Sequence, residues 1–538
     1  MGITRVRNYQ QAHWDEPIIF ELSTPGVRGI IPPEPDAEIV AEVGDVAATL
    51  PAGIRRRSAP ALPELDQKRV LAHYLHLSQE TLGSNLTPDA SLGTCTMKYN
   101  PRVHEELVAE HGMADIHPDQ DPATVQGILA IYHGFEQILC EISGMDRFTL
   151  QPGGGAHAVF TAASIMRAYH RSRGEGAQRT EIITTMFSHP CDAASPATAG
   201  FKVITLMPKE DGYPDLDALR AAVSERTAGI FITNPEDTGI YNPLIDQFVG
   251  VVHEVGGLAF YDQANANPIL GVARARDAGF DMCHFNVHKT FGSPHASSGP
   301  AGGALGVRAD LARFLPWPTI EYDGSRYSLD YDRPDSIGKV KGFVGNAPVI
   351  LRSYAWCVMM GPDGLREAAE ISVLNNNYLI KKLEDVRGLT MPYAAGHRRL
   401  EEVRWSWEKL NHDTGVGTDD ILRRMGDFGL QHYWSSHHPW IVPEPMTLEP
   451  CETFAREELD EYAAVLTQIA EEAYADPEFV KASPYRCASH RRNDEAALND
   501  PEQWATTWRA YLRKQVRPAA AGATAAAAAP AAGSTSGG

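Results

Sequence analysis

Short apolar runs alternate with amphipathic stretches from about residue 120 to residue 290. EIITT (181–185), FKVITL (201–206), GIFIT (229–233), GLAFYD (257–262) and MCHFNV (282–287) are too short for buried helices. They are rich in β-branched and aromatic residues, so they predict strands. Residues 121–144, 156–173, 215–223 and 247–255 carry helical spacing. Strands alternating with helices predict a mostly parallel sheet flanked by helices, an α/β fold. Beyond about 345 come a long helical stretch at 361–385, a mixed region and a helix at 454–475. The expected organisation is therefore an N-terminal arm and helical segment (1–120), a large α/β domain (121–345), a smaller α+β C-terminal domain (346–517) and a disordered Ala-rich tail (518–538). The Pro-rich stretch at 24–64 suits an extended arm wrapping a neighbour.

Composition narrows the class. At 538 residues the chain is too long for one core. A net charge of −21 argues against nucleic acid or an anionic membrane as the main partner. The seven cysteines form no C-x-x-C pair, which reads as reduced thiols in a cytoplasmic protein, with no disulfide framework and no metal site. No secretory leader and no apolar run of membrane-spanning length is visible.

Three segments fall where strand ends should be, the usual ligand edge of an open parallel sheet. QPGGGAHAVF (151–160) places three glycines before a helix, a plausible phosphate cradle, with His157 in the first turn. FYDQANANP (260–268) ends an apolar strand on Asp262, a carboxylate that needs a partner if buried. HFNVHKTFGSPHASSGPAGGALGV (284–307) puts Lys289 at another strand end, before a Gly-rich loop. A poorly solvated lysine becomes nucleophilic, as Schiff-base chemistry requires. Singly, each segment has an ordinary structural explanation. In this order, cradle, Asp and Lys match fold-type I enzymes that use pyridoxal 5'-phosphate (PLP).

The chain resembles the glycine cleavage system P-protein (glycine decarboxylase), subunit 2 type. The resemblance covers nearly all of 17–495 and is carried by PIIFELSTPGVRG (17–29), SLGTCTMKYNPRV (91–103), LQPGGGAHA (150–158), YDQANANPILG (261–271), HFNVHKTF (284–291), LDYDRPDSIGKV (329–340) and VLNNNYL (373–379). It implies the aminotransferase-like fold of type I, with Lys289 as the Schiff-base lysine, His157 as the ring-stacking histidine and Asp262 as partner of the pyridine nitrogen. It further implies that the backbone around Gly155 and Ala156 holds the phosphate and that His288 and Ala264 line the site. The implied reaction is decarboxylation of glycine with transfer of the aminomethyl group to a lipoyl carrier, the H-protein. The implied assembly pairs this chain with subunit 1 in a heterotetramer, a homodimer being the alternative.

Several positions depart from the family pattern. SHPCDAASPATA (188–199) stands where the family has S-A-H-G-T-N-P-A-S-A, with His189 as the stand-in for the family histidine. TNPEDT (233–238) keeps Asn234 but introduces Glu236 and Asp237. ASSGP (296–300), RRLEEVRW (398–405) and LQHYWSSHHPW (430–440) are further replacements. His189, Asn234, Glu236, Asp237 and Arg404 are thus candidates for the substrate side. Two readings stay open: glycine decarboxylation, or the same cofactor with another amino acid or acceptor. A third, a catalytically silent subunit, conflicts with the presence of Lys289, Asp262 and His157.

Overall fold

The computed structural model describes residues 6–82, 90, 98–117, 119–293, 300–394, 396–400, 402–430, 435–436, 441–488 and 507–516. The chain clusters into two compact units, residues 1–11 with 82–487 and residues 12–81 with 488–538. The sequence segments at 91–97, 296–299, 431–434 and 437–440 and the tail at 518–538 lie outside the described residues.

The larger unit is organised by a seven-stranded sheet. Its strands are β1 (Arg147–Thr149), β2 (Glu181–Thr185), β3 (Lys202–Leu206), β4 (Thr227–Thr233), β5 (Leu258–Gln263), β6 (Met282–Asn286) and β7 (Gly303–Val307), in the order β1-β7-β6-β5-β4-β2-β3. β3, β2, β4, β5 and β6 run parallel, whereas β7 is antiparallel to both β6 and β1. Helix α1 (Gln126–Ser143) precedes β1, and α2 (Gly155–Ser172), α3 (Cys191–Thr198), α4 (Leu216–Ala222) and α5 (Ile245–Glu254) follow β1, β2, β3 and β4.

Successive side chains of each strand point to opposite faces. Ile183, Ile230, Ile232, Tyr261 and Phe285 pack into one cluster, with Phe135 and Phe248 from α1 and α5. Ile182, Phe231, Phe260 and Met282 pack into the other, with Ile165 and Met166 from α2. Both faces are covered, which explains the continuous apolar runs of β4 and β5. β1 and β7 are absent from the sequence reading. GALGV reads as loop because of its two glycines, yet each glycine has a packing reason. A Cβ at Gly306 would lie 2.3 Å from the Phe148 ring, and one at Gly303 would lie 2.6 Å from the Gly154 carbonyl.

A further helix, α6 (Ala347–Leu383), begins earlier than its sequence signal and breaks at Gly361, whose φ is +64°. Its first half buries Val349, Ile350, Trp356 and Cys357. A third apolar cluster joins the end of α6 to Val403 and Trp405, Met446 and Leu448, and a long helix at Arg456–Ala475. Two short antiparallel strands sit within it, Val403–Ser406 and Pro445–Leu448.

In the smaller unit, a helix at Gln67–Gln79 is capped by the Asp66 side chain, and Glu16 accepts from His73 and His76 on that helix. Among the described residues no helix is long and apolar enough to cross a membrane, and the six described cysteines are free thiols.

Candidate active site

The carboxyl ends of β2, β4, β5 and β6 meet at a cavity. Asp262, Ala264, Asn265 and Lys289 line it from β5 and the turn after β6. His189, Thr233, Asn234, Pro235 and Asp237 line it from the segments after β2 and β4.

Lys289 is only 4% exposed. β6 ends at Asn286, and the chain turns there because the Lys289 N–H donates to the Asn286 carbonyl at 3.0 Å. Thr290 ties this turn to the segment after β5. Its hydroxyl accepts from the Ala266 N–H at 2.9 Å and donates to Asn265 Oδ1 at 3.2 Å. A buried ammonium is costly unless compensated, so a lysine held here is set for chemistry rather than solubility.

Asp262 is 1% exposed. Its Oδ1 accepts from the Ala264 N–H at 2.8 Å. His284, its register partner on β6, places Nδ1 3.4 Å from the same oxygen. Burial pulls the His284 pKa below its usual value, and the ring stacks on Phe260 at 5.6 Å between centroids. A neutral imidazole near Asp262 does not cancel the charge of the carboxylate.

The glycine turn joins β1 to α2. A Cβ at Gly155 would sit 2.7 Å from the Asn286 side-chain amide, so the start of α2 lies tight against the end of β6. The first N–H groups of a helix lack intrahelical acceptors and carry the positive end of its dipole. Ala156 is exposed, and its carbonyl accepts from the Ser195 hydroxyl at 3.1 Å. His157 folds back on the turn, Nδ1 accepting from the Gly153 N–H at 3.1 Å. Burial lowers its pKa, and Lys341 adds to the effect. His288 is buried with Nδ1 3.0 Å from the Gly302 carbonyl oxygen. Gly155, Ala156, His157 and His288 therefore belong to the glycine turn and the loop after β6, not to the cavity lining.

Glu236, Asp237 and Arg404 come together, although they are far apart in sequence. Asp237 is on the cavity wall, and Arg404 Nη2 lies 3.8 Å from its Oδ2 with both side chains 1% exposed. Arg404 Nε donates to Thr447 Oγ1 at 3.4 Å, and Nη1 is buried without a hydrogen-bond acceptor among the described residues. Burial pulls the guanidinium pKa below its usual value, against the pull of Asp237 and Glu402. Glu236 lies behind the wall. Thr185 donates to its Oε1, while burial pushes its carboxyl up to about 8. The loop 234–242 is clamped from outside: Arg399 donates to the Thr238 carbonyl at 3.2 Å, and a Cβ at Gly239 would fall 1.7 Å from the Glu402 carbonyl oxygen.

Two groups escaped the sequence reading. The Cys191 thiol, also 2.9 Å from His189 Nδ1, points at Asp262 Oδ2 at 3.9 Å. Donor atoms of His189, Cys191 and Asp262 all lie within 4.8 Å of one another. Asp192, fully buried, accepts from the Thr233 hydroxyl at 3.0 Å. The signal was an acidic residue inside an otherwise small-residue segment after an apolar strand.

Comparison with known proteins places the chain in context. Residues 368–482 match the family model described as glycine dehydrogenase, C-terminal domain. The chain is 46% identical over 507 residues to the probable glycine dehydrogenase (decarboxylating) subunit 2 of Pyrococcus abyssi, covering 94% of this chain and 98% of that protein. The corresponding protein of Halalkalibacterium halodurans is 41% identical, covering 90% and 97%. Among solved structures, an inhibitor-bound glycine decarboxylase (P-protein) of the glycine cleavage system matches with a TM-score of 0.68 at 19% identity, covering 82% of this chain and 99% of that one. The cysteine desulfurase CsdA from Escherichia coli matches with a TM-score of 0.54 at 15% identity, covering 73% and 95%. At such identities these structures establish the fold, that of the fold-type I enzymes.

Proposed function

Because the chain belongs to the glycine dehydrogenase (decarboxylating) subunit 2 family, we propose that it decarboxylates glycine using PLP bound at the carboxyl edge of the sheet. In this reading the aminomethyl group passes to the lipoyl arm of a carrier protein, and a first subunit completes the assembly in the cytoplasm. The observation that supports it most is the cavity shared by Lys289 and Asp262, a buried amine and a buried carboxylate on neighbouring strand ends.

The residues present fit the cofactor. Asp262 is buried beside a neutral histidine, an acceptor suited to a protonated ring nitrogen. The close approach at Gly155 leaves no room for a side chain beneath the start of α2, where backbone N–H groups suit a phosphate. When bound, the cofactor supplies a ring that accepts the electrons left behind as CO2 departs. The protein supplies the rest. Lys289 holds the reactive carbon and then exchanges protons at Nζ. Asp262 holds a proton on the ring nitrogen. Gly155 and Ala156 present amides to the phosphate, and His157 offers a ring face whose lowered pKa keeps it uncharged. Asn234 and His189 shape the opposite wall, excluding water.

A second reading keeps the cofactor and changes the amino acid or acceptor. It is favoured by Asp237 on the wall with buried Arg404 behind it, a charged pair well placed to select substrate polarity. One assay separates the two. Glycine–bicarbonate carbon exchange, with carrier and first subunit supplied, should proceed in wild type and vanish in Lys289→Ala. No exchange with glycine but spectral change with another amino acid would replace the first reading by the second.

A further inference from the structure

A second buried carboxyl, Asp192, stands near Asp262 at the described sheet edge. Thr233 and Asp262 are register partners on β4 and β5. Thr233 accepts from the His189 N–H at 3.1 Å and donates to Asp192 Oδ2 at 3.0 Å, which draws the first turn of α3 against the end of β4, beside β5. Asp262 is close enough to act on the Asp192 carboxyl, and the thiol of the adjoining Cys191 lies 3.9 Å from Asp262 Oδ2. Asp192 Oδ1 is buried with no hydrogen-bond donor among the described residues. Neighbouring carboxyls buried away from water disfavour both being ionised.

We propose that Asp192 is a positioning residue: it carries a proton that it shares with Asp262, so the pair bears one negative charge and Asp262 is held as the carboxylate that meets the cofactor ring. This rests on the cofactor reading above. Thr233 supplies one hydrogen bond to the acid. The shared proton supplies the other, and so fills the vacancy at the orphaned oxygen. Burial pushes Asp192 well above the usual carboxylate range, and the neighbouring Asp262 pushes further. The groups facing the pair are His284 from β6, Cys191 and His189 from the segment after β2, Asp237 after β4 and Lys289 after β6. His284 has its pKa lowered and Cys191 its pKa raised by burial, so both are uncharged at neutral pH. Neither can replace the proton.

The test uses the whole chain. Infrared spectra of the cofactor-free protein at neutral pH, wild type minus Asp192→Asn, should show the carbonyl stretch of a buried protonated carboxylic acid. The Glu236 contribution is common to both proteins and cancels. In PLP titrations followed by absorbance, Asp192→Asn, which keeps an N–H donor toward Asp262, should bind within about threefold of wild type. Asp192→Ala, which keeps none, should bind at least about tenfold more weakly. A difference spectrum without the band overturns the proposal, as does an Asp192→Ala variant that binds PLP as tightly as wild type. If the alanine variant does not fold, the asparagine difference spectrum still decides. A wild type that shows the band yet takes up no PLP defeats the cofactor assignment instead, so the two failures are told apart.

Discussion

The two sides of the cavity solve the same problem differently. On the β5–β6 side, acidic and basic side chains come one for one. Asp262 and Lys289 are both buried, the Ala264 N–H donates to Asp262, and His284 beside it is neutral. On the β2–β4 side, carboxyls outnumber cations. Asp192, Glu236 and Asp237 are all buried, and Arg404 approaches Asp237 alone at ion-pair distance. Burial raises the Asp192 and Glu236 carboxyls, so protons offset the excess. The second side is therefore the one that carries raised carboxyls and responds to pH.

The largest way to break this comparison is Lys289→Ala. On the proposed reading it removes the covalent nucleophile, and carbon exchange should fall by more than about a thousandfold with the fold intact. Circular dichroism and exchange kinetics read the two quantities together. A variant that instead unfolds would mean that Lys289 serves mainly to neutralise Asp262.

Arg404→Met tests the cation beside Asp237 among the described residues. Removing it leaves Asp237 buried without its near counter-charge, at a cost of about 3–5 kcal/mol in denaturant unfolding. The double variant with Asp237→Asn should recover much of that loss. If the single variant unfolds like wild type, the pair is not what holds the loop 234–242.

Glu236 supplies the pH arm. Its folded pKa of about 8 lies above its unfolded value, so the native state binds the proton more tightly. Stability should then fall as pH rises from about 4.5 to about 8, by up to ~1.4 kcal/mol per pH unit, and level off above. Glu236→Gln should remove that share of the slope, matching wild type at low pH and exceeding it at pH 8. Melting curves across this range, with equal slopes in both proteins, would contradict a neutral Glu236.

The same contrast explains what was legible in the sequence. β2, β4, β5 and β6 were visible because double-sided burial makes them continuous apolar runs. Lys289 and Asp262 stood out as charges ending such runs, and their family motifs surround them. β7 was hidden, since its glycines answer to Phe148 and Gly154, contacts distant in sequence. Asp192 was hidden because a carboxyl at a helix start ordinarily reads as a cap. The fold brings it near a second carboxyl, through its bond to Thr233, the register partner of Asp262. Arg404 was named as a charge, but its partner Asp237 could be found only once the fold brought the strand Val403–Ser406 to the loop after β4.

The smallest effect sharpens the boundary between cavity and cradle. Gly155 has no positive φ to demand glycine; its constraint is the Asn286 amide 2.7 Å from where a Cβ would stand. Gly155→Ala must therefore push the first turn of α2 away from the end of β6, at about 1–3 kcal/mol for overpacking a tight site. If the amides of this turn carry the phosphate, the displacement also weakens PLP binding, by roughly tenfold per 1.4 kcal/mol lost to misplacement. Pairing the change with Asn286→Ala, which removes the obstructing amide, should restore both stability and affinity. Restored stability with affinity still lost would mean that the phosphate is read by the Gly155 position itself, and restored affinity alone would place the phosphate elsewhere on the turn.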